Sequence, residues 1–139
     1  MKNISIIVPV LNEEKNILNL IKRIKNSLPN NNYIIQFVDD GSTDETVKII
    51  EYFVKKDVNY NLIQRRKLSH GSVRGSALYE ALKLQYKNPE IDVFIEIDGD
   101  LSHRPEELTT GITIIKNKQA DVVIASRFVK GWGYNYKKN

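Results

Sequence analysis

The sequence predicts a three-layer α/β/α fold in which helices cover both faces of a mostly parallel central sheet. Short runs of apolar and β-branched residues alternate along the chain with segments whose apolar residues recur at helical spacing. Clusters of polar residues follow the predicted strands, as is typical of ligand-binding loops at the carboxyl ends of parallel strands. With 139 residues and no internal repeat or linker, the chain suits a single domain.

The first two predicted strands are each followed by a helix. The first strand is Ile4–Val10, and the helix after it has one apolar face, made of Ile17, Leu20, Ile21, Ile24 and Leu28. The second strand, residues 33–38, runs into a polar segment. There Ser42 and Glu45 have the spacing of a capping box, so we expect a helix to start at this point.

The second half of the chain continues the alternation. Tyr60–Gln64 is expected to be a third strand, and a helix with Ala77, Leu78, Ala81 and Leu82 on one face follows it. A fourth strand carries alternating Val93, Ile95 and Ile97. Pro105 suits the first turn of the next helix, and residues 121–125 are expected to form a fifth strand.

Composition excludes several classes of site. The chain has no cysteine and only two histidines, so it has no disulfide framework or cysteine-based zinc site, and a histidine-rich catalytic metal site is not expected. The motifs G-x-x-x-x-G-K and G-x-G-x-x-G are absent, which argues against an ATPase or a classical dinucleotide-binding protein. A net charge of +4 suits an anionic partner, although lysine-rich solvated helix faces would give the same charge.

Two carboxylates, Asp98 and Asp100, follow the fourth strand directly, and Gly99 is expected to let the backbone turn sharply between them. Hard oxygen ligands at a rigid strand end suit a divalent cation that holds a diphosphate. A plain Asp-Gly turn with solvated acids is the alternative. Because parallel strands end at one edge of a sheet, we expect the pair to share a cleft with Asp40 and Glu13.

The other charged residues near strand ends have two interpretations each. Asp40 and Glu13 can accept hydrogen bonds from a base or from ribose hydroxyls, whereas one of Asp39 and Asp40 is expected to cap a helix, a role that also explains Asp44. Basic residues that can neutralise phosphate oxygens are Arg65, Arg66, Lys67 and Arg127, with solvent exposure preferred for Arg66. His103 is expected to make a local hydrogen bond.

Three motifs occur in the order and spacing of a known family: VPVLNEE at residues 8–14, VDDGSTDET at 38–46 and DGDLSHRPEEL at 98–108. The chain resembles the nucleotide-binding part of a family 2 glycosyltransferase with the GT-A fold. With ASRF at 125–128, it is most similar to the dolichyl- or polyprenyl-phosphate mannosyltransferase branch. The resemblance covers residues 1–131 and leaves 132–139 as a tail. Family catalytic domains continue further, so the domain is expected to be C-terminally incomplete.

For the nucleotide, the resemblance implies contacts from two loops. Pro9, Leu11 and Glu13 would line the nucleotide, and Val38 and Asp40 would hold the base. Leu11 stands where the family often has a tyrosine, so an aromatic stack on the base is not implied.

For the diphosphate, the resemblance implies a metal site. Asp98 and Asp100 would bind Mg2+ or Mn2+, with Gly99 beside the metal and Ser102 as a further ligand. Arg127 would face phosphate, and together with Asp100 it would stabilise the departing diphosphate.

The implied reaction is the inverting transfer of a hexose, with mannose from GDP-mannose as the expected donor, to a polyprenyl or dolichyl phosphate. The alternatives are a UDP-sugar transferase for polysaccharide or glycoconjugate synthesis and a non-catalytic nucleotide-sugar-binding fragment. Expected partners are the nucleotide sugar, the polyprenyl phosphate, and a peripheral membrane contact or membrane-anchored protein, but not nucleic acid. The expected location is the cytoplasm, at the cytoplasmic face of a membrane.

Overall fold

A computed structural model describes residues 3–30, 32–65 and 73–126. In these residues strands and helices alternate as the sequence predicts, in the order β1 (Ile4–Val10), α1 (Ile17–Ser27), β2 (Tyr33–Asp39), α2 (Thr46–Lys56), β3 (Tyr60–Gln64), α3 (Val73–Gln85), β4 (Val93–Glu96) and α4 (Leu108–Lys116). A short 3-10 turn, Pro105–Glu107, leads into α4 and has the proline in its first turn, as expected. In this part of the chain, no helix is both long and apolar enough to cross a membrane.

The four strands form one parallel sheet in the order β3-β2-β1-β4. The chain first builds the sheet from β1 towards β3 and then crosses back to place β4 on the other side of β1. The direction of winding therefore reverses between β1 and β4. In open parallel sheets, this reversal opens a crevice at the carboxyl ends of the two strands, where ligands bind.

Both faces of the sheet are covered, which confirms the three-layer prediction. On one face Ile6 and Val8 pack in a core with Ile17 and Ile24 of α1. On the opposite face Ile7 packs with Val38 and Ala81, which belongs to α3. Burying each large apolar side chain contributes about 1.5–3 kcal/mol, so this packing fixes the strand ends against one another.

A buried polar chain also attaches α3 to the sheet. The Ser5 hydroxyl donates to Gln85 Oε1, and Gln85 Nε2 donates to Gln36 Oε1. All three side chains are buried. The contact lies at the amino-terminal end of β1, away from the edge where the polar clusters meet.

The predicted capping box is wrong. Helix α2 begins at Thr46, and both members of the box bond elsewhere. The Ser42 hydroxyl accepts the Asn12 N–H, and the Glu45 N–H donates to Glu14. Because the loop after β1 competes for these groups, the local signal for a helix start is overridden.

The predicted fifth strand is also wrong, since residues 121–126 form no strand. Val122 and Ile124 are 74% and 83% exposed. A strand needs a neighbour for its backbone hydrogen bonds, and none of the described strands pairs with this segment. The β-branched composition alone therefore did not decide its conformation.

Candidate functional site

A cleft of ≈ 260 Å³ opens at the reversal point between β1 and β4. Its walls come from the ends of three strands: Pro9, Val10, Leu11, Glu13, Asp40, Asp98, Gly99 and Asp100. The expectation that Asp98 and Asp100 share a cleft with Asp40 and Glu13 is confirmed. Carboxylates from three separate loops therefore surround one small volume.

The turn after β4 is held by its own side chains. Asp98 is buried, and its backbone N–H donates to His103 Nδ1 at 3.0 Å, which confirms the local hydrogen bond predicted for His103. Asp98 Oδ2 lies 3.5 Å from both His103 Nε2 and the Ser102 hydroxyl. The Ser102 N–H donates to Asp100 Oδ1 at 2.9 Å. These bonds set the direction of both carboxylates.

Gly99 has a steric role in addition to the predicted turn. A Cβ at this position would lie 3.0 Å from Val10 Cγ1 and 3.2 Å from the Pro9 carbonyl oxygen. The glycine therefore allows the acidic turn to approach the end of β1 closely. The backbone does turn at Gly99 and Asp100, as predicted, although the residue with left-handed geometry beside this turn is Leu101, at φ 65°.

The acidic turn fits a cation that arrives with its ligand. Within the described residues, no group of three or more His, Cys, Asp or Glu side chains could hold a metal. The turn offers two carboxylates, with the Ser102 hydroxyl beside them. Mg2+ is usually held by one or two carboxylates, waters and substrate phosphates, so this donor set fits a cation that is completed by a diphosphate.

The carboxylate of Asp40 lies on the cleft wall and is almost fully buried. One oxygen, Oδ1, is 3.0 Å from Arg65 Nη1, and Arg65 Nη2 donates to the Ser76 hydroxyl at 2.7 Å. Arg65, a candidate for phosphate binding, thus pairs with a protein carboxylate. Burial raises the pKa of Asp40, Arg65 opposes this and Asp39 adds to it, so the pKa stands above its ordinary value.

The second oxygen of this carboxylate, Asp40 Oδ2, is buried and has no hydrogen-bond partner in the described part of the chain. Buried acceptors in folded proteins are nearly always bonded. An unpartnered oxygen on the wall of a cleft is therefore suited to accept an N–H or O–H from a ligand.

The neighbouring acids have structural roles: Asp44 serves the start of α2, as expected, whereas Asp39 bonds the turn before the helix and does not cap it. Asp39 accepts the N–H groups of Gly41 and Ser42, each at 3.1 Å, and so closes the turn after β2. Asp44 accepts the N–H of Thr46 at the start of α2. Of the two adjacent acids after β2, Asp40 alone lines the cleft.

Not all predicted site residues come together. Val38 is buried in the core with Ile7 and does not line the cleft, so its side chain is not available to hold a base. Ser102 stands beside the cleft without lining it. Lys67 and Arg127 lie outside the described residues, as does the tail at 132–139.

Sequence reasoning missed two residues that hold the loop after β1. Asn12 adopts φ 56°, a conformation that asparagine tolerates better than most residues. Thr46 is fully buried, and its hydroxyl accepts the Glu13 N–H at 2.7 Å. The available signals were an asparagine directly after a strand and a hydroxyl residue at the start of a buried helix face.

The sequence and the fold have counterparts in known proteins. Residues 5–139 match the family model described as Glycosyl transferase family 2. The chain belongs to glycosyltransferase family 2. The match includes all the loops that line the cleft, while the boundary at residue 131 stays a prediction.

Two curated relatives of this family 2 glycosyltransferase have names that refer to mannose and to a phosphorylated dolichol or polyprenol. Dolichol-phosphate mannosyltransferase of Pyrococcus furiosus is 37% identical over 131 residues, which cover 92% of this chain and 34% of the relative. Polyprenol monophosphomannose synthase of Mycolicibacterium smegmatis is 29% identical and is matched over 45% of its length. The chain thus spans about a third to a half of these proteins.

Solved structures show the same fold. Staphylococcus aureus TarS 1-349 in complex with UDP aligns with a TM-score of 0.70 and 30% identity, over 95% of this chain and 38% of TarS 1-349. Mannosyltransferase PcManGT of Pyrobaculum calidifontis, in complex with GDP-Man and Mn2+, aligns with a TM-score of 0.61 and 19% identity, over 81% of this chain and 32% of its own. The family 2 glycosyltransferase described here therefore has the GT-A fold.

Proposed function

We propose that this chain is a metal-dependent, inverting hexosyltransferase that transfers mannose from GDP-mannose to a polyprenyl or dolichyl phosphate. The observation that carries the proposal is the single cleft shared by Asp98, Asp100, Asp40 and Glu13. The relative with 37% identity, a dolichol-phosphate mannosyltransferase, supports the choice of mannose and of a lipid phosphate.

In this proposal the two sides of the cleft bind the two ends of the donor. The unpartnered Oδ2 of Asp40 accepts a hydrogen bond from the base, while the ion pair with Arg65 holds the carboxylate in direction. The half-buried Glu13 accepts a hydrogen bond from ribose. Its Oε2 already accepts from Asn16 Nδ2 at 2.7 Å, which holds the carboxylate in place.

At the other end of the donor, Asp98, Asp100 and Ser102 would hold Mg2+ or Mn2+. A bound cation supplies positive charge that stabilises the departing diphosphate. His103 contributes by holding the Asp98 backbone, and Lys67 and Arg127 would add further positive charge towards the phosphates.

The proposed acceptor fits the absence of a histidine from the cleft wall in the described residues. A lipid phosphate is already anionic and needs no strong general base, whereas a hydroxyl acceptor would need one. In this proposal all four carboxylates that the described residues place on the cleft wall have roles, Asp98 and Asp100 with the cation and Asp40 and Glu13 with the nucleoside, so none of them forms a covalent sugar intermediate. A single displacement with inversion is therefore the proposed course, at the cytoplasmic face of a membrane where the lipid acceptor resides.

A UDP-sugar donor is the second candidate. The UDP-N-acetylglucosamine–dolichyl-phosphate N-acetylglucosaminyltransferase of Methanococcus voltae is 32% identical over 137 residues, and TarS binds UDP in its crystal structure. A third candidate is a nucleotide-sugar-binding fragment without turnover.

Transfer of radiolabelled sugar distinguishes these candidates. The chain is incubated with GDP-mannose or UDP-N-acetylglucosamine, dolichyl or undecaprenyl phosphate, and Mn2+ or EDTA. Labelled mannose in the lipid fraction only with Mn2+ is the expected result. Transfer from the UDP-sugar alone would favour the second candidate, and donor binding without transfer the third. Failure to bind or transfer either donor would contradict all three.

A further inference from the structure

The loop after β1 (residues 11–16) and the loop after β2 (residues 40–45, with Thr46 at the start of α2) are joined by hydrogen bonds; we call this connection the loop clasp. Three consecutive backbone N–H groups of the first loop donate to side chains of the second: Asn12 to Ser42 Oγ at 2.9 Å, Glu13 to Thr46 Oγ1 at 2.7 Å and Glu14 to Asp44 Oδ2 at 3.2 Å. The motif residues Ser42, Asp44 and Thr46 thus bind protein backbone.

The loop clasp is reciprocal. The Thr43 N–H donates to Asn12 Oδ1 at 2.8 Å, and the Glu45 N–H donates to Glu14 Oε2 at 3.0 Å. Asn12 reaches the second loop from a left-handed backbone conformation, with φ 56°. Each loop therefore provides hydrogen-bond partners for backbone N–H groups of the other loop.

Thr46 is the centre of the loop clasp. Its side chain is fully buried, its hydroxyl accepts the Glu13 N–H, and its own backbone N–H donates to Asp44 Oδ1 at 3.0 Å. Partial desolvation acts to raise the pKa of Asp44, but hydrogen bonds from the side chain and backbone of Thr46 and from the Glu14 N–H outweigh it and lower the pKa. Asp44 thus remains ionised as an acceptor for the loop clasp.

The first loop also carries part of the cleft wall. Leu11 and Glu13 line the cleft, while Ser42, Asp44 and Thr46 do not. The bond from the Glu13 N–H to Thr46 therefore connects a residue on the cleft to one behind it. Without this bond, the backbone beneath Glu13 would have a partly buried N–H that lacks its partner, and it would shift to find one.

We propose that Thr46, supported by Ser42 and Asp44, is a positioning residue that sets the affinity for the nucleoside part of the donor by fixing Glu13. This inference rests on the proposed function, because it takes Glu13 to contact the nucleotide. The polar residues that follow Asp40 thereby contribute to donor binding, although they do not contact the donor.

The test uses Thr46→Val, which keeps the shape of the side chain and removes the hydroxyl, and Thr46→Ser, which keeps the hydroxyl. Calorimetry with GDP and with UDP in the presence of Mn2+ measures affinity. We expect Thr46→Val to weaken binding about tenfold and Thr46→Ser to bind within about threefold of wild type. Ser5→Ala, which removes a buried hydroxyl at the far end of β1, is the control for a general loss of stability and should leave affinity unchanged.

A double-mutant cycle distinguishes a positioning role of Thr46 from a purely structural role. If Thr46 acts through Glu13, Thr46→Val combined with Glu13→Gln will bind about as weakly as the weaker single variant. If the two losses of affinity multiply in the double variant, the proposal is overturned. It is also overturned if Thr46→Val binds like wild type.

Amide hydrogen exchange, measured without ligand, tests the hydrogen bonds of the loop clasp independently of nucleotide binding. Exchange of the Glu13 and Glu14 N–H groups should quicken at least about tenfold in Thr46→Val and not in Ser5→Ala. Unchanged exchange in Thr46→Val would overturn the proposal. Failure of the wild-type protein to bind GDP or UDP, with quickened exchange, would instead contradict the proposed function and leave the loop clasp as a structural finding.

Discussion

Arg65 Nη1 lies 3.0 Å from Asp40 Oδ1, and the two side chains are only 9% and 7% exposed. Removing one member of a buried ion pair leaves the other charge without compensation. Arg65→Met should therefore lower the free energy of unfolding by roughly 3 kcal/mol at pH 7, measured by urea denaturation.

Two variants control for this effect. Lys48→Met removes an exposed partner of Glu45 and should leave the free energy of unfolding nearly unchanged, because solvent screens this pair. Asp40→Asn added to Arg65→Met removes the isolated buried charge and should restore part of the stability. An Arg65→Met protein as stable as Lys48→Met would show that the pair carries little energy.

Gly99→Ala should damage both stability and donor binding. The added methyl would stand 3.0 Å from Val10 Cγ1 and 3.2 Å from the Pro9 carbonyl oxygen, so the acidic turn must move away from β1. We expect a loss of about 1–3 kcal/mol in the free energy of unfolding, with weaker binding of GDP and UDP.

Gly75→Ala is the matched control, because a Cβ there meets nothing within 4 Å. Gly75 lies within α3, where alanine is favoured over glycine by about 0.5–1 kcal/mol, so this variant should be slightly more stable than wild type. Equal behaviour of the two variants would contradict the close approach at Gly99.

Acid unfolding should depend on Glu106. Its carboxylate accepts from Arg23 Nε and Nη2, both at 2.7 Å, and mainly this hydrogen bonding lowers the pKa of Glu106 to about 2. Because the folded-state pKa is below the ordinary value of 4.5, the stabilisation is present above about pH 4.5 and is lost as the pH falls towards 2.

Urea denaturation between pH 2 and pH 6 measures this contribution. Glu106→Gln should flatten the pH dependence of the free energy of unfolding in the window from about 4.5 to 2, whereas Glu90→Gln, at an exposed position, should leave it unchanged. A pH dependence that is identical in wild type and Glu106→Gln would exclude the proposed linkage.

Most of the fold could be predicted because buried parallel strands are recognisable locally. The β-branched run Ile4–Val10 and the apolar spacing of α1 each identify one element without knowledge of its neighbours. The segment at 121–126 could not be predicted in this way. Its composition suits a strand, but whether it forms one depends on a partner that the local sequence does not reveal.

Convergence of the acids could be predicted from topology, since parallel strands end at one edge. Individual contacts could not be predicted from the sequence. Arg65 follows a strand like a phosphate-binding residue, yet it pairs with Asp40, and Ser42 has the spacing of a helix cap, yet it binds the Asn12 N–H. Both outcomes depend on distances between loops, which spacing along the chain does not encode.

The central claim is that Asp98 and Asp100 hold a cation that binds the donor diphosphate. Calorimetry with GDP and UDP, in Mn2+ or EDTA, tests it most directly on wild type, Asp98→Asn and the control Asp92→Asn, whose exposed carboxylate lies just before the other end of β4. The account predicts binding to wild type and Asp92→Asn that weakens at least about tenfold in EDTA, and a similar loss in Asp98→Asn. Absence of binding to wild type, or binding that neither EDTA nor Asp98→Asn changes, would contradict it.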